Sequence, residues 1–259
     1  MRRFSITVAV TIMVIASIST PALADQPEGA VHIALGDSVA AGSGANNGDV
    51  TGYVARLNRW LRSVDSEEGG PSASPHLELS DYSVGGATSS DLLADQLPAA
   101  VAEITARGTD IKYVTLTIGG NDVFEPVIGA CGEGITPTCE STIQSVFDKY
   151  QTNLATILGT LRVAAPQAKI AIMTYYNPIG SCDRAPLAPL ADIVLEGGGP
   201  LPGGLNDIIR GVAGGVGGVT VVETGALLDS DDFVGGADCL HPDDSGHREI
   251  ARAFLRALS

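Results

Sequence analysis

Three polar side chains of this sequence, Ser38, His241 and Asp238, have the types and local settings needed for nucleophilic attack on a carbonyl carbon. A serine hydroxyl becomes a strong nucleophile when an imidazole accepts its proton and a carboxylate orients that imidazole. Small residues surround Ser38 in the segment GDSVAAG at 36–42, so a substrate can approach its hydroxyl. Asp238 lies three residues before His241 and can bond its Nδ1 atom, which leaves Nε2 facing Ser38. The pattern predicts Ser38 as nucleophile, His241 as base and Asp238 as the group that orients the base.

The other histidines lie in settings that fit packing or solvent exposure better than catalysis. His32 falls within an apolar run, where burial is expected. His76 follows a loop rich in serine and proline and is expected to face solvent. His247 falls within the last helical pattern, as a surface or packing residue. Only His241 combines a loop setting with a carboxylate just upstream.

Three hydrogen-bond donors complete the expected site: the backbone N–H groups of Ser38 and Gly86, and the side-chain amide of Asn121. Donors of this kind stabilise the negative charge that develops on the carbonyl oxygen. Each residue also has an ordinary explanation when it is taken alone. Serine and asparagine are common in turns, and glycine serves wherever the chain needs a positive φ. The combination therefore carries the prediction, and no single residue does.

The elements that must position these residues alternate between strand and helix. Five apolar runs are typical of buried strands: 31–35, 77–84, 111–118, 169–175 and 219–222. Helical spacing occurs at 50–61, 92–107, 141–164 and 205–212, and in a last helix that Asp244 or Ser245 caps. Pro98 is expected to interrupt the second of these helices. The segments 123–139 and 177–204 are expected to be loops that flank the site.

This alternation predicts an α/β fold with a parallel five-stranded sheet and helices on both of its faces. Sheets of this class bind ligands at the carboxyl ends of their strands. Ser38, Gly86 and Asn121 each follow closely on a strand of this kind. We therefore expect the three residues to meet at one rim of the sheet.

Four blocks of this sequence resemble the motifs of the SGNH, or GDSL-type, hydrolase superfamily. They are GDSVAAG at 36–42, VGGAT at 84–88, GGND at 119–122 and DCLHP at 238–242. Val39 replaces the usual leucine, and Gly85 stands where many members have serine. The resemblance runs from residue 31 to the last helix and is finer with secreted actinobacterial lipases and esterases. It implies a three-layer α/β/α sandwich with a flavodoxin-like sheet, and the same catalytic and oxyanion roles.

The implied reaction is the hydrolysis of carboxylic esters through an acyl-enzyme, which needs no metal ion and no organic cofactor. Lipid or short acyl esters are the favoured substrates. The alternatives are acetylated sugars and a catalytically silent binding protein on the same fold. An α/β-hydrolase is a less suitable fold, because its nucleophile follows several strands whereas Ser38 follows the first. Phe124, Val127 and Ile128 either line an acyl pocket or pack a loop.

The first 24 residues are typical of a secretory signal peptide. Arg2 and Arg3 precede an apolar run at 6–18, and the small residues Ala22 and Ala24 predict cleavage after Ala24. The run is shorter than the roughly 20 residues that a membrane-spanning helix needs. We therefore expect a secreted protein in which residues 25–259 form one hydrolase domain, without a transmembrane segment after cleavage.

The charge balance bears on the partners of the protein. The chain has 15 basic and 30 acidic residues and a formal net charge of −15. A protein this acidic repels nucleic-acid phosphates, so no nucleic-acid partner is expected. We expect a monomer that acts on a small-molecule or lipid ester.

Four cysteines, an even number in a chain expected to be exported, indicate two disulfides. They are Cys131, Cys139, Cys182 and Cys239, and three pairings are possible. A bond between Cys131 and Cys139 closes a small loop and leaves Cys182 to pair with Cys239. A zinc site is disfavoured because the sequence has no Cys-x-x-Cys spacing.

Overall fold

A computed structural model describes residues 29–67, 76–132, 134–181, 187–236 and 238–259 of the chain. The expected signal peptide and Cys182 lie outside the described residues, so the cleavage after Ala24 and the Cys182–Cys239 pairing stay predictions. Among the described helices, none combines the length and the apolar character that crossing a membrane requires.

A parallel five-stranded sheet lies at the centre of the structure, with the strand order β2-β1-β3-β4-β5. Its strands are β1 Val31–Gly36, β2 Glu78–Asp81, β3 Ile111–Thr117, β4 Lys169–Met173 and β5 Val219–Val222. β1 and β4 consist largely of buried residues, as expected for strands that are covered on both faces. The α/β fold class and the five-stranded parallel sheet predicted from the sequence are confirmed.

Helices cover both faces of this sheet. In chain order they are α1 Gly48–Thr51, α2 Tyr53–Glu67, α3 Ser89–Asp91, α4 Leu97–Arg107, α5 Gly120–Cys131, α6 Pro137–Ala164, α7 Ala188–Glu196, α8 Leu205–Val216 and α9 Asp244–Leu258. Helices α2 and α9 pack together in the hydrophobic core on one face of the sheet. Helices α4, α5, α6 and α8 form the core on the other face. The two cores and the sheet between them give the expected three-layer sandwich.

The expected break at Pro98 is wrong, because the chain stays helical from Ser89 to Arg107. A π-helical segment, Leu92–Gln96, precedes α4 and places Pro98 in the first turn of that helix. Proline is tolerated there because the first N–H groups of a helix have no partner within the helix.

Two segments expected to be loops contain helices. Residues 123–139 include most of α5 and the start of α6, and residues 177–204 include α7. Glycine and proline lower the intrinsic helix propensity of both segments. Buried side chains such as Val127 and Val194 nevertheless anchor the two helices to the core, and packing of this kind outweighs propensity.

His241 lies in a strand, although the sequence predicted a loop. The strands β6 Phe233–Gly235 and β7 Asp238–Pro242 form a separate antiparallel pair. Asp243 caps α9, in place of the expected Asp244 or Ser245, because its carboxylate accepts the N–H groups of Ser245 and Gly246. The pairing of β7 with β6 and the cap of α9 hold His241 in place from both sides along the chain.

Candidate active site

The carboxyl ends of three adjacent strands carry the residues that the sequence selected. Ser38 follows β1, the segment with Gly86 follows β2, and Asn121 lies in the first turn of α5 just after β3. Because β1 lies between β2 and β3, these residues share one rim of the sheet.

The hydroxyl of Ser38 lies within hydrogen-bond distance of the imidazole of His241. Ser38 Oγ is 2.9 Å from His241 Nε2, and His241 Nδ1 is 2.6 Å from Asp238 Oδ1. The side chain of His241 is 24% exposed and that of Asp238 is 49% exposed. A serine can transfer its proton along this arrangement, while Asp238 fixes the ring orientation. The carboxylate of Asp238 is more exposed to solvent than the buried aspartate of many such sites. Solvent therefore weakens its electrostatic effect on His241.

A glycine brings the loop after Ser38 against the strand that carries His241. A Cβ atom on Gly44 would lie 2.2 Å from the carbonyl oxygen of Pro242 and 2.8 Å from Cβ of His241. Gly44 also has a φ of +89°, which other residues rarely adopt. Only glycine therefore permits this approach of the two segments.

The buried side chain of His247 braces the same loop. Its Nδ1 atom lies 3.2 Å from the backbone nitrogen of Tyr53, and its Nε2 atom lies 2.8 Å from the carbonyl oxygen of Ser43. A backbone N–H can only donate, so Nδ1 accepts and the proton resides on Nε2. Burial lowers the pKa of His247, so the imidazole stays neutral while it joins α2 and α9 to the loop.

Asp37 is a buried carboxyl group directly beside the nucleophile. It accepts hydrogen bonds from the hydroxyl of Tyr175 and, at 3.0 Å, from the backbone N–H of Val39. Burial raises its pKa to about 6, although the bond from Tyr175 acts in the opposite direction. The bond from Tyr175 ties the turn of Ser38 to the segment that follows β4, and the bond from Val39 lies within the turn.

A second clamp on the nucleophile turn comes from the π-helical segment. Gln96 accepts a hydrogen bond from the N–H of Gly36 and donates one to its carbonyl oxygen, each at 2.8 Å. Gly36 has a φ of +145°, and a Cβ atom there would lie 2.2 Å from the carbonyl oxygen of Thr117. The π turn thus presents Gln96 to the end of β1, where it fixes the backbone just before Ser38.

The oxyanion donors predicted from the sequence lie beside this turn. Asn121 Nδ2 donates one hydrogen to the carbonyl oxygen of Ala87 at 2.9 Å, which leaves its second hydrogen for a ligand. Asp122 accepts the N–H of Ser89 at 2.8 Å and therefore holds the same loop. Gly86 has a φ of +82° and lies in the exposed part of that loop.

A cleft with a volume of about 260 Å³ opens over Ser38. Ser38, Asn121, Tyr175 and His241 lie in its wall, whereas Gly86 lines a neighbouring crevice. Three of the four blocks therefore meet in one cleft, whereas Gly86 of the fourth block lines a separate crevice.

Sequence reasoning did not select Asp37, Tyr175, Gln96, Gly44 or His247 for a role at the site. Asp37 stands inside the first motif, and Tyr175 stands at the end of a strand. Those two positions were the only available signals. Gln96, Gly44 and His247 contact segments that are distant along the chain, and no local pattern marks them.

The described residues contain a disulfide bond and no candidate metal site. Cys131 and Cys139 form a disulfide bond that joins the end of α5 to the first turn of α6. Among the described residues, no cluster of three or more histidine, cysteine or acidic side chains is arranged to hold a metal ion.

Comparison with known proteins identifies the family. Residues 34–249 match the model of the GDSL-like lipase/acylhydrolase family, and this range includes the candidate nucleophile and base. The chain belongs to this family. The superfamily predicted from the sequence motifs is thereby confirmed.

Individual relatives of this GDSL-family chain include lipases and an esterase. Lipase 2 of Streptomyces coelicolor is 32% identical over 158 residues, which cover 56% of this chain and 52% of the lipase. The match thus spans about half the length of that relative. A lipase structure from a goat rumen metagenome superposes with a TM-score of 0.64 at 19% identity, over 88% of this chain and 97% of the other. An acetylxylan esterase from Geobacillus stearothermophilus gives a TM-score of 0.59 at 20% identity, over 89% and 95%. At these identities the two structures establish the fold alone.

Proposed function

We propose that this protein is a serine hydrolase of carboxylic esters, with Ser38 as nucleophile, His241 as base and Asp238 as the residue that orients His241. The single observation that carries the proposal is the 2.9 Å separation of Ser38 Oγ and His241 Nε2, together with the bond from Nδ1 to Asp238. Membership of the GDSL-like lipase/acylhydrolase family supports the same chemistry.

In the first half of the reaction, Ser38 Oγ attacks the ester carbonyl while His241 Nε2 accepts the hydroxyl proton. The electron pair of the carbonyl moves to its oxygen, which accepts hydrogen bonds from Asn121 and from the N–H groups of Ser38 and Gly86. When the tetrahedral intermediate collapses, its C–O bond to the alcohol breaks. His241 then returns the proton to the leaving alcohol, and the acyl group stays on Ser38.

In the second half, water takes the place of the alcohol. His241 accepts a proton from water, the resulting nucleophile attacks the acyl-enzyme, and the acid leaves as Ser38 regains its proton from His241. The rigid clamps on the nucleophile turn, from Gln96 and Asp37, keep Ser38 aligned through both halves.

We further propose that the protein acts outside the cytoplasm, on lipid or short acyl esters. The disulfide of Cys131 and Cys139 supports an oxidising compartment, and the Streptomyces lipase relative is consistent with such a setting. The apolar residues Phe124 and Leu240 in the wall of the cleft favour an apolar substrate.

Replacing the nucleophile tests the proposal. Ser38→Ala is expected to lower kcat for p-nitrophenyl butyrate by at least about 10⁴-fold while the thermal midpoint changes little. Ser141→Ala, at an exposed serine of α6, serves as the matched control and is expected to retain full activity. A fluorophosphonate probe is expected to label the wild type and Ser141→Ala but not Ser38→Ala. Undiminished hydrolysis by purified Ser38→Ala would overturn the assignment.

A further inference from the structure

An apolar crevice extends from the candidate active-site cleft and runs between α5 and α7. Val123, Phe124 and Ile128 belong both to this crevice and to the cleft that contains Ser38, so the two spaces are continuous. Val127 of α5 and Leu190 of α7 line the crevice but not the cleft. Every residue that lines the crevice is apolar.

We propose that this crevice binds the acyl chain of the ester, and that the preferred acid is an unbranched chain of medium length. The inference rests on the proposed function, because it assumes that the carbonyl carbon sits at Ser38.

The position of the base distinguishes the acid side of the substrate from the alcohol side. His241 must protonate the leaving alcohol, so the alcohol lies toward β7. Leu240 and His241 belong to the cleft, whereas no residue of β7 lines the crevice. The crevice instead shares Val123 and Phe124 with the cleft, and these residues follow closely in the chain on Asn121, the residue expected to bind the carbonyl oxygen. The chain on the acid side of the carbonyl is therefore the part of the substrate that enters it.

The chemistry and the shape of the lining favour an alkyl chain over a sugar. Sugar hydroxyl groups that entered the crevice would lose their hydrogen bonds to water and find no replacement, which is costly. The crevice is also small, with a volume of about 50 Å³, so it suits the end of a single chain better than a ring. An acetyl group held at Ser38 would stay in the cleft.

The length of α5 indicates how long the bound acyl chain can be. Ile128 lies seven residues beyond Asn121, which corresponds to about 10 Å along a helix. An acyl chain of about six to eight carbons spans this distance, with its first carbons in the cleft of about 260 Å³ and only its end in the crevice. Each methylene that enters the crevice is expected to raise kcat/KM by up to about fourfold.

Two isomeric esters test which side of the substrate uses the crevice. Ethyl hexanoate and hexyl acetate have the same composition, but they carry the long chain on the acid and on the alcohol, respectively. The wild type is expected to show a kcat/KM at least about tenfold higher for ethyl hexanoate, as judged by acid release in a pH-stat.

Filling the crevice provides the second arm of the test. Ala191 lines the crevice from α7, and Ala191→Phe is expected to remove the preference for ethyl hexanoate while hexyl acetate hydrolysis stays within about twofold of wild type. The matched control is Ala155→Phe, at an exposed position of α6, which should keep the wild-type preference. Val127→Thr changes polarity with little change in volume, and it is expected to lower kcat/KM for ethyl hexanoate severalfold and leave hexyl acetate unchanged.

Equal use of the two isomers by the wild type, or a preference for hexyl acetate, would overturn the inference. So would an Ala191→Phe variant that folds and retains the preference, or one that loses both activities equally. These results would leave the proposed function intact as long as Ser38→Ala is inactive on both esters. Hydrolysis by Ser38→Ala would instead reject the proposed function itself.

Discussion

The hydroxyl of Tyr175 donates a hydrogen bond to the buried carboxyl group of Asp37, although 138 residues separate them in the sequence. The bond joins the ends of β1 and β4 directly behind Ser38. Asp37 is only 2% exposed, so its charged form loses almost all of its hydration. Burial raises the pKa of Asp37 to about 6 as a result.

Asp37→Asn is expected to change how stability depends on pH. The folded-state pKa of Asp37 lies above the unfolded value of 3.8, so the folded protein binds more protons between pH 4 and pH 6. The stability that this group contributes is present at low pH and is lost as the pH rises through about 6. Asparagine resembles the uncharged carboxyl and avoids that loss.

Urea unfolding at pH 4 and pH 8 measures this effect. Relative to wild type, Asp37→Asn is expected to gain stability on going from pH 4 to pH 8, by up to about 3 kcal/mol. Asp148→Asn, at an exposed position of α6, is the control and should show a much smaller pH-dependent difference. A difference between Asp37→Asn and wild type that is the same at both pH values would contradict the expectation.

Asn121→Ala is expected to lower kcat by about 10²–10³-fold, because the variant lacks a donor to the developing oxyanion. Part of the loss comes from the bond to the carbonyl oxygen of Ala87, which positions the loop with Gly86. KM is expected to change little, since the interaction strengthens in the transition state. Steady-state kinetics with p-nitrophenyl butyrate provide the measurement, and a loss confined to KM would speak against an oxyanion role.

The candidate catalytic residues were predictable because local motifs mark them. Ser38, Asn121 and Asp238 each stand at a strand end or beside a histidine within a short, recognisable block. The parallel sheet followed from the alternation of apolar runs and helical spacing. Three strand ends then had to meet at one rim, whatever the details of the loops.

The support of the site was not predictable, because it depends on contacts between distant segments. The bonds of Tyr175 to Asp37 and of Gln96 to Gly36 arise only when the sheet has formed. The strand β7, which contains His241, was missed because its partner β6 has only three residues. So short a strand shows no alternation of apolar and polar residues in the sequence. Helices α5 and α7 were missed because their glycine and proline residues favour a loop, and only burial in the folded protein makes them helical.

Gly44→Ala is expected to separate the loop after Ser38 from the strand of His241. The added methyl group would meet the carbonyl oxygen of Pro242 and the side chain of His241, and the positive φ adds strain. We expect kcat to fall at least tenfold and the thermal midpoint to drop. Gly214→Ala in α8, where an added Cβ meets nothing within 4 Å, is the matched control and should stabilise the protein by about 0.5–1 kcal/mol. A fully active Gly44→Ala would show that this close approach is dispensable.

His247 is expected to make the protein sensitive to acid independently of catalysis. Its Nδ1 atom accepts a hydrogen bond from Tyr53, and protonation would turn that acceptor into a donor and break the bond. Burial lowers the pKa of His247 below the ordinary histidine value of 6.5, so at pH values just below 6.5 the unfolded chain binds a proton that the folded protein does not. The stability contributed by this group is therefore lost as the pH falls through about 6.5.

His247→Gln removes the titration and keeps one donor and one acceptor. The variant is expected to be less stable than wild type at pH 7, because the shape of the side chain differs. The difference in the free energy of unfolding between the two proteins is expected to narrow at pH 5, where only the wild type bears the cost of holding the imidazole neutral. Urea unfolding at the two pH values measures both quantities, and His76→Gln, at an exposed histidine, is the control. If the difference in the free energy of unfolding between wild type and His247→Gln stays constant or widens on acidification, the buried imidazole does not make the protein sensitive to acid.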